Sequence, residues 1–253
     1  YAEKTLLKPF GAGIHLPPEV DANVIYKNAA MPISMQSVGN GVHLKVCCPD
    51  LEGKPLTADL FIHQPMEHET LNVVIPWSEN RFQFTSKQNC LPTEGTVSWG
   101  DQIIEFSLRD TFACLDFGRG IWPFESFWNW SSFSTRLPDG RTVGVNLGAG
   151  WTDGTGMNEN SLSVDGRLTK LSEDVAFDYD PEDFIAPWHL RTTATERVDL
   201  TFEPFYERHA ETNALIIYSE VHQMFGRFFG TLQGESGETI PIGGAIGWAE
   251  DHH

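Results

Sequence analysis

An aromatic run at residues 116–131 holds three of the eight tryptophans beside acidic side chains, a combination suited to chemistry. Each aromatic ring buries roughly 150–250 Å² and offers a negative π-face to cations. Such a run indicates a dense core or the wall of an apolar ligand cavity. Arg119 is most simply the ion-pair partner of Asp116. The predicted acid is Asp116, and the predicted ligand-binding residues are Arg119, Trp122, Phe124, Trp128 and Trp130.

The second candidate is Asn158-Glu159-Asn160, which follows a glycine-rich stretch that begins near Trp151. On a strand, Glu159 would face one side of the sheet and the two amides the other. A lone carboxylate pointing into an aromatic cavity would have a raised pKa and could act as a general acid. The alternative is a turn whose Asn side chains hydrogen-bond the local backbone. On the first interpretation, Trp151, Asn158 and Asn160 belong to the ligand-binding set.

The last four residues, Glu250, Asp251, His252 and His253, resemble a set of metal ligands. Alternate residues of a strand share a face, so at most two of the four would converge, whereas a zinc site needs three or four ligands. We therefore predict no metal and no other cofactor. Glu250 could instead orient His252 as an acid–base pair, and packing is the alternative. His222, on a predicted strand, is interpreted as a structural residue.

Strands must carry these residues, because alternation of polar and apolar residues recurs while helical periodicity is nearly absent. Turn sequences rich in Gly, Asn and Asp separate the runs, as at Pro138-Asp139-Gly140. Short strands at regular spacing are typical of antiparallel sandwiches and barrels. The sequence therefore predicts an all-β fold. The clearest alternating runs are residues 104–108, 143–149 and 198–202.

The predicted strands, about twelve to sixteen in number, are too many for one small barrel. We expect two antiparallel β-barrel or sandwich halves packed together, an N-terminal half at residues 1–115 and a C-terminal half at residues 116–253. The proline-rich start, up to about residue 28, is expected to wrap the surface. Because the chain begins with Tyr1 rather than Met, we expect trimmed termini.

Composition argues against several classes of partner. The chain has 35 acidic and 17 basic residues and a net charge of -18, which argues against nucleic acid and anionic membrane surfaces. No run of 18 apolar residues is present that could span a membrane. The four cysteines match no zinc motif and are interpreted as reduced residues of a cytoplasmic protein, with one disulfide in an exported protein as the alternative. The expected partner is a small apolar molecule, and nothing in the sequence specifies an oligomeric state.

Several motifs stand out in combination: residues 115–124, Trp128-Asn129-Trp130, Asn146-Leu147-Gly148, Asn158-Glu159-Asn160, Val164-Asp165-Gly166, Pro187-Trp188 and residues 247–253. Together they resemble the DUF2804 family, whose function is unknown, and the resemblance covers most of the chain. That family is distantly similar to lipocalin-like double-barrel proteins, among them carotenoid hydratases, tocopherol cyclase and AttH-type proteins. The resemblance implies two lipocalin-like halves and a cavity for an elongated apolar ligand. It implies no catalytic set.

Three functions fit these features. A cofactor-free hydratase, isomerase or cyclase would protonate a double bond with Glu159 or Asp116, and tryptophan π-faces would stabilise the cation by up to roughly 2 kcal/mol each. A lipid or pigment carrier would use the same aromatic cavity without chemistry. A carbohydrate-active protein would need a Trp-lined cleft and paired carboxylates. A closed cavity with one buried carboxylate favours the first two, and an open groove with two facing carboxylates favours the third.

Overall fold

The computed structural model describes residues 23–27, 30–214 and 217–253, and every regular element in these ranges is a β-strand. The predicted all-β fold is therefore confirmed, and the strands pair antiparallel. No helix able to cross a membrane occurs in the described ranges. The expectation for the proline-rich start falls mainly on residues outside them. The strands are β1 (Val24–Tyr26), β2 (Ile33–Val38), β3 (Gly41–Leu51), β4 (Lys54–His63), β5 (Leu71–Ser78), β6 (Arg81–Trp99), β7 (Gln102–Phe106), β8 (Phe112–Ile121), β9 (Trp128–Arg136), β10 (Thr142–Ala149), β11 (Ser161–Val164), β12 (Arg167–Lys170), β13 (Val175–Asp178), β14 (Trp188–Thr192), β15 (Val198–Ala214), β16 (Ile217–Gln233) and β17 (Thr239–His252).

The chain divides into two compact units. The first comprises the described residues up to His68 together with Leu91–Ala113, and the second comprises Glu69–Cys90 and Cys114–His253. Strand β6 therefore contributes its first half to the second unit and its second half to the first. Residues 69–90, which the sequence-based division placed in the N-terminal half, belong to the second unit. The lipocalin-like character of the two halves stays a prediction.

The first unit is an antiparallel sheet in the order β1-β2-β3-β4-β6-β7. The second half of β6 lies between two partners, so that Val97 pairs with Ala58 of β4 and with Ile104 of β7. Gly39 and Gly53 have φ angles of 61° and 78° in the tight hairpin turns, a conformation that glycine adopts without steric cost. This unit carries none of the predicted site residues.

The second unit contains a nine-stranded antiparallel sheet in the order β12-β11-β10-β9-β17-β16-β15-β14-β13. Alternation along the strands separates its two faces. On β10, Val143, Val145 and Leu147 are at most 1% exposed and belong to the main apolar core of this unit. Trp188 and Phe202 pack in the same core. The residues of β10 between these positions face the other side, where the candidate site lies.

A smaller apolar cluster in the second unit joins β5 to several tryptophans. The first half of β6 pairs with β5, and β8 pairs with β6. Alternate residues of β5 are buried, which places one face of this strand against indole rings. The cluster consists of Leu71, Val73, Ile75 and Trp151, with Trp77, Trp122, Trp128 and Leu168 packed against it.

Candidate active site

A row of residues from four adjacent strands shares one face of the nine-stranded sheet. Strand pairing places Gly148 of β10 beside Trp130 of β9, and Trp130 beside Glu250 of β17. Glu250 in turn pairs with Gln223 of β16. Residues opposite each other on paired strands project from the same face of a sheet. The row therefore collects side chains that are distant in the sequence.

A cavity of about 130 Å³ is lined by this row and by residues of β6 and β8. An engineered protein cavity of about 150 Å³ accommodates benzene, so the space suits a group of similar size. Three carboxylates and one ammonium group lie among four tryptophans around it. The lining residues are Gln83, Thr85, Lys87, Asp116, Gly118, Trp122, Trp128, Trp130, Trp151, Glu159 and Glu250.

Lys87 is a buried cation in the cavity wall. Its Nζ lies 2.9 Å from Oδ2 of Asp116 and 3.4 Å from Oε2 of Glu159, and its side chain is 7% exposed. The same Nζ lies 4.0 Å from the ring centroid of Trp130, a cation–π contact. Burial lowers the pKa of Lys87, but attraction to Glu159 and Asp116 outweighs burial and the pKa is raised overall. Lys87 is thus a fixed ammonium group that holds two carboxylates at the cavity.

Glu159 occupies space that Gly148 leaves open. Its Oε1 accepts a 2.7 Å hydrogen bond from Nε1 of Trp151. A Cβ atom on Gly148 would lie 2.3 Å from that oxygen, so only glycine fits beneath the carboxylate. Oε2 lies 3.4 Å from the Lys87 ammonium and has no closer hydrogen-bond donor among the residues that the structure describes. This oxygen is a buried acceptor available to a molecule in the cavity.

Glu250 is the carboxylate best suited to carry a proton. Nε1 of Trp128 donates a 3.2 Å hydrogen bond to its Oε1, and Nε2 of Gln223 donates a 2.8 Å hydrogen bond to its Oε2. Burial raises the pKa of Glu250, and these hydrogen bonds together with the charge of Lys87 offset only part of that effect. A carboxyl group with a raised pKa beside a cavity can serve as a general acid.

Trp122 is the centre of a tryptophan cluster that borders the cavity. Its ring centroid lies 5.1 Å from that of Trp77, 5.3 Å from that of Trp128 and 5.6 Å from that of Trp151. These separations fall in the range of favourable aromatic pairs. Trp122 also lines a larger surface depression of about 1040 Å³ together with Phe124. It therefore stands between the small cavity and the larger depression.

The sequence of the whole chain, residues 1–253, matches the model of the family described as "Domain of unknown function (DUF2804)". The chain belongs to the DUF2804 family. Among solved structures, one from Nitrosomonas europaea with a provisional AttH assignment is similar over 90% of this chain and 67% of that chain, at 11% identity and a TM-score of 0.42. A likeness this weak says nothing about a ligand or a reaction. No curated protein matches the chain.

Most of the predicted site residues of this DUF2804 chain surround the one cavity. Phe124, in the middle of the aromatic run, is 90% exposed and lines the larger depression instead. The predicted residues that line the cavity are Asp116, Trp122, Trp128, Trp130, Trp151, Glu159 and Glu250.

Two expectations about charged partners are wrong. Asp116 pairs with Lys87 rather than with Arg119, which is exposed. Residues three apart on a strand face opposite sides, so Asp116 and Arg119 diverge on β8. Glu159 is not a lone carboxylate either, because the Lys87 ammonium lies 3.4 Å away.

Asn158 and Asn160 support the backbone around Glu159 and do not line the cavity. Nδ2 of each donates to the carbonyl of Glu173, at 3.0 Å and 3.2 Å. Oδ1 of Asn160 accepts a 2.7 Å hydrogen bond from the backbone N–H of Gly148. The alternative interpretation of this tripeptide, in which Asn side chains satisfy local backbone groups, therefore describes the two amides, whereas Glu159 reaches the cavity.

His252 does not pair with Glu250. Its Nε2 lies 2.9 Å from Oγ of Ser219, and its ring packs against that of Trp128 with centroids 3.9 Å apart. Burial lowers the pKa of His252, which favours the neutral ring. Same-face neighbours on a strand are about 7 Å apart, too far for a direct contact between two side chains that project in parallel.

Sequence reasoning missed Lys87, the residue with the most ionic contacts in the site. On β6, Gln83, Thr85 and Lys87 are buried, whereas Phe82 is 39% exposed. The alternation itself is visible in the sequence, but such a pattern ordinarily indicates that the apolar residues face inward. The inverted order, with polar residues inside, is the signal that could have indicated a polar cavity.

Proposed function

We propose that this protein is a cofactor-free acid catalyst that hydrates or isomerises a carbon–carbon double bond at the end of a small apolar molecule. The observation that carries the proposal is a buried acid with a raised pKa, Glu250, in the wall of a tryptophan-lined cavity. Hydration is the reaction that we favour, because the cavity also contains acceptors able to hold a water molecule.

The volume of the cavity limits the reacting group. About 130 Å³ suits roughly five or six heavy atoms, by comparison with a cavity that binds benzene. The branched alkene at the end of an isoprenoid has this size. A longer substrate would extend past Trp122 into the larger depression, where Phe124 and Phe127 offer apolar surface.

Protonation of the alkene is the first step. The π electrons of the double bond take the proton of Glu250, and a tertiary carbocation forms beside the rings of Trp122 and Trp128. Each π-face stabilises such a cation by up to about 2 kcal/mol when water is excluded. Two carboxylates, Asp116 and Glu159, outnumber the single ammonium group of Lys87, and the resulting net negative charge also stabilises the cation.

Addition of water is the second step. Oε1 of Gln83 is a buried acceptor with no hydrogen-bond donor among the described residues, and Oε2 of Glu159 meets only the Lys87 ammonium, at 3.4 Å. A water molecule that donates to one of them would direct a lone pair at the carbocation. The new C–O bond forms as the water proton passes to Glu159. Exchange with solvent then restores the proton of Glu250 and removes that of Glu159.

The geometry of the cavity bears differently on the two other candidate functions, a glycosidase and a carrier. A glycosidase must hold sugar rings on both sides of the bond that it cleaves. A cavity the size of benzene holds at most one such ring, so a second ring would have to occupy the larger depression beyond Trp122. A carrier would bind an apolar end group without turnover, and only an experiment separates it from a catalyst.

The test uses 3-methylbut-2-en-1-ol, whose six heavy atoms fit the cavity, in buffered D₂O. Protonation of its double bond places deuterium on carbon, which mass spectrometry detects. We expect incorporation with the unaltered protein and a decrease of about 10²–10⁴-fold in Glu250→Gln, the range for loss of a general acid. Glu250→Asp should retain part of the activity. Glu182→Gln, at an exposed carboxylate, is the matched control and should have no effect.

Equal incorporation by Glu250→Gln and the unaltered protein would contradict the role of Glu250. Quenching of tryptophan fluorescence by the alcohol without any incorporation would support the carrier. Neither quenching nor incorporation, with this alcohol and with longer isoprenoid alcohols, would overturn the proposed ligand class.

A further inference from the structure

Two matching motifs face each other on β15 and β16. They are Glu207-Arg208-His209 and Glu220-Val221-His222, and His209 pairs with His222 in the strand register. Residues two apart on a strand share a face, so both histidines and both glutamates lie on the same side. The two imidazole rings are stacked, with centroids 4.4 Å apart and an interplanar angle of 13°.

We propose that His209, His222 and Glu220 form a binding site for a divalent transition-metal ion such as Zn²⁺. Oε1 of Glu220 lies 2.9 Å from Nε2 of His209 and 3.3 Å from Nε2 of His222. Ligand atoms of the three residues all lie within 4.8 Å of one another. Two ligands of one tetrahedral zinc ion lie about 3.3 Å apart, since each is about 2.0–2.2 Å from the metal. The two distances from Oε1 of Glu220 match that spacing.

Neighbouring side chains fix the orientation of two of the ligands. Nδ1 of His222 lies 2.7 Å from Oε1 of Glu207, so a proton on Nδ1 leaves the lone pair of Nε2 directed at the site. The hydroxyl of Tyr218 donates to Oε2 of Glu220, which turns Oε1 toward the histidines. Outer partners of this kind are typical of metal-bound histidine and carboxylate ligands.

The charges also favour a cation at this point. A lone pair on Nε2 that faces a carboxylate oxygen is repelled unless a proton or a metal ion lies between the two atoms. Nε2 of His209 can donate to Glu220 from a neutral ring, whereas His222 contacts carboxylates at both ring nitrogens and needs either a second proton or a metal ion. A metal ion bound by Nε2 of His209, Nε2 of His222 and Oε1 of Glu220 keeps both rings neutral, and its binding requires the stacked rings to turn until both in-plane lone pairs point at it.

The ligand set indicates which metal would bind. Two imidazoles and one carboxylate suit Zn²⁺, Co²⁺ or Ni²⁺, whereas Mg²⁺ and Ca²⁺ prefer sites made of oxygen ligands. Three protein ligands leave a fourth position for water. The side chains are 45% exposed at His209, 27% at Glu220 and 17% at His222, so an ion from solvent can reach them. This proposal replaces the sequence-based expectation that the chain binds no metal.

The site is separate from the cavity. Gln223 follows His222 on β16 and contacts Glu250 in the cavity wall. Adjacent residues of a strand face opposite sides, so His222 and Gln223 lie on different faces of the sheet. The metal proposal therefore does not depend on the proposed reaction.

Calorimetric titration of the full chain with ZnCl₂, after dialysis against EDTA, tests the site. We expect one zinc ion per chain. Glu207→Gln should weaken binding about 10–100-fold, as expected for an outer partner, and His209→Asn and His222→Asn should weaken it further. His189→Asn is the matched control, because His189 pairs with the single carboxylate of Asp199 on another exposed part of the unit. It should leave binding unchanged.

A second measurement separates loss of binding from loss of folding. Zinc should raise the melting temperature of the unaltered chain and of His189→Asn but not that of His222→Asn, because a ligand stabilises only a fold that binds it. No stoichiometric zinc in the unaltered chain, or unchanged affinity in His222→Asn, would overturn the proposal. So would loss of binding in His253→Asn, which would place the ion at the C-terminal pair of Asp251 and His253.

Discussion

Opposite faces of β16 hold polar groups in contrasting surroundings. On the cavity face, Gln223 contacts the buried carboxyl of Glu250. On the other face, Glu220 and His222 contact each other while both stay partly exposed. Water screens the exposed groups, whereas each buried charge depends on a fixed partner. Comparable substitutions should therefore have large effects on the cavity face and small ones on the metal-site face when no ion is bound.

The largest difference is expected for Lys87→Met. This change leaves the buried carboxylate of Glu159 without its cation and removes the partner of Asp116. Breaking a buried ion pair by removing one partner costs about 3–5 kcal/mol. Urea unfolding followed by tryptophan fluorescence measures the loss. The raised pKa of Lys87 means that its contribution is complete at neutral pH and declines as the pH rises through the folded-state value.

Two variants serve as controls for Lys87→Met. His209→Asn, in EDTA, should change the free energy of unfolding by no more than about 0.5 kcal/mol, as is usual for an exposed position. Lys45→Met removes the exposed partner of Asp59 and should cost at most about 1 kcal/mol. If Lys87→Met cost no more than these two, the cavity charges would not be coupled as the distances indicate.

A smaller loss is expected for Gly148→Ala. Its Cβ atom would lie 2.3 Å from Oε1 of Glu159, so the carboxylate must move away from Trp151 and Lys87. Inserting one methyl group into a packed site typically costs about 1–3 kcal/mol. Gly243→Ala is the control, because its Cβ atom would meet nothing within 4 Å. Equal unfolding free energies for the two variants would show that Glu159 is not held against Gly148.

The sequence was sufficient for the fold class and for much of the cavity wall. Alternating runs such as residues 143–149 form strands because one side of each run meets the apolar core. The aromatic run reaches the cavity because Trp128 and Trp130 lie two apart on β9 and share its face. Local alternation predicted the strands, and the concentration of aromatic residues predicted the cavity wall.

The other contacts of the two candidate sites depend on strand pairing between segments that are distant in the sequence. Nothing local to Lys87 shows that β6 lies beside Asp116, or that Gln223 pairs with Glu250. The proposed metal site could not be predicted for the same reason, since His209 and His222 become neighbours only through the register of β15 and β16. A single histidine on a strand looks structural until its partner strand is known.

The smallest expected effects concern pH, and they should have opposite signs on the two faces. Burial raises the folded-state pKa of Glu250, so its contribution to stability is complete below its ordinary value of 4.5 and declines as the pH rises through the folded value. Hydrogen bonds from Tyr218 and His209 lower the pKa of Glu220 to about 2. Its contribution is complete above 4.5 and declines as the pH falls toward about 2.

Melting temperatures of Glu250→Gln and Glu220→Gln, measured in EDTA between about pH 3 and pH 8, test this contrast. Relative to the unaltered chain, Glu250→Gln should gain stability as the pH rises, because glutamine never acquires the buried charge. Glu220→Gln should lose its disadvantage as the pH falls, and by a small amount because solvent screens this partly exposed group. Parallel curves for the two variants would mean that Glu250 is ionised as readily as a surface carboxylate, and the acid required for alkene protonation would then be missing.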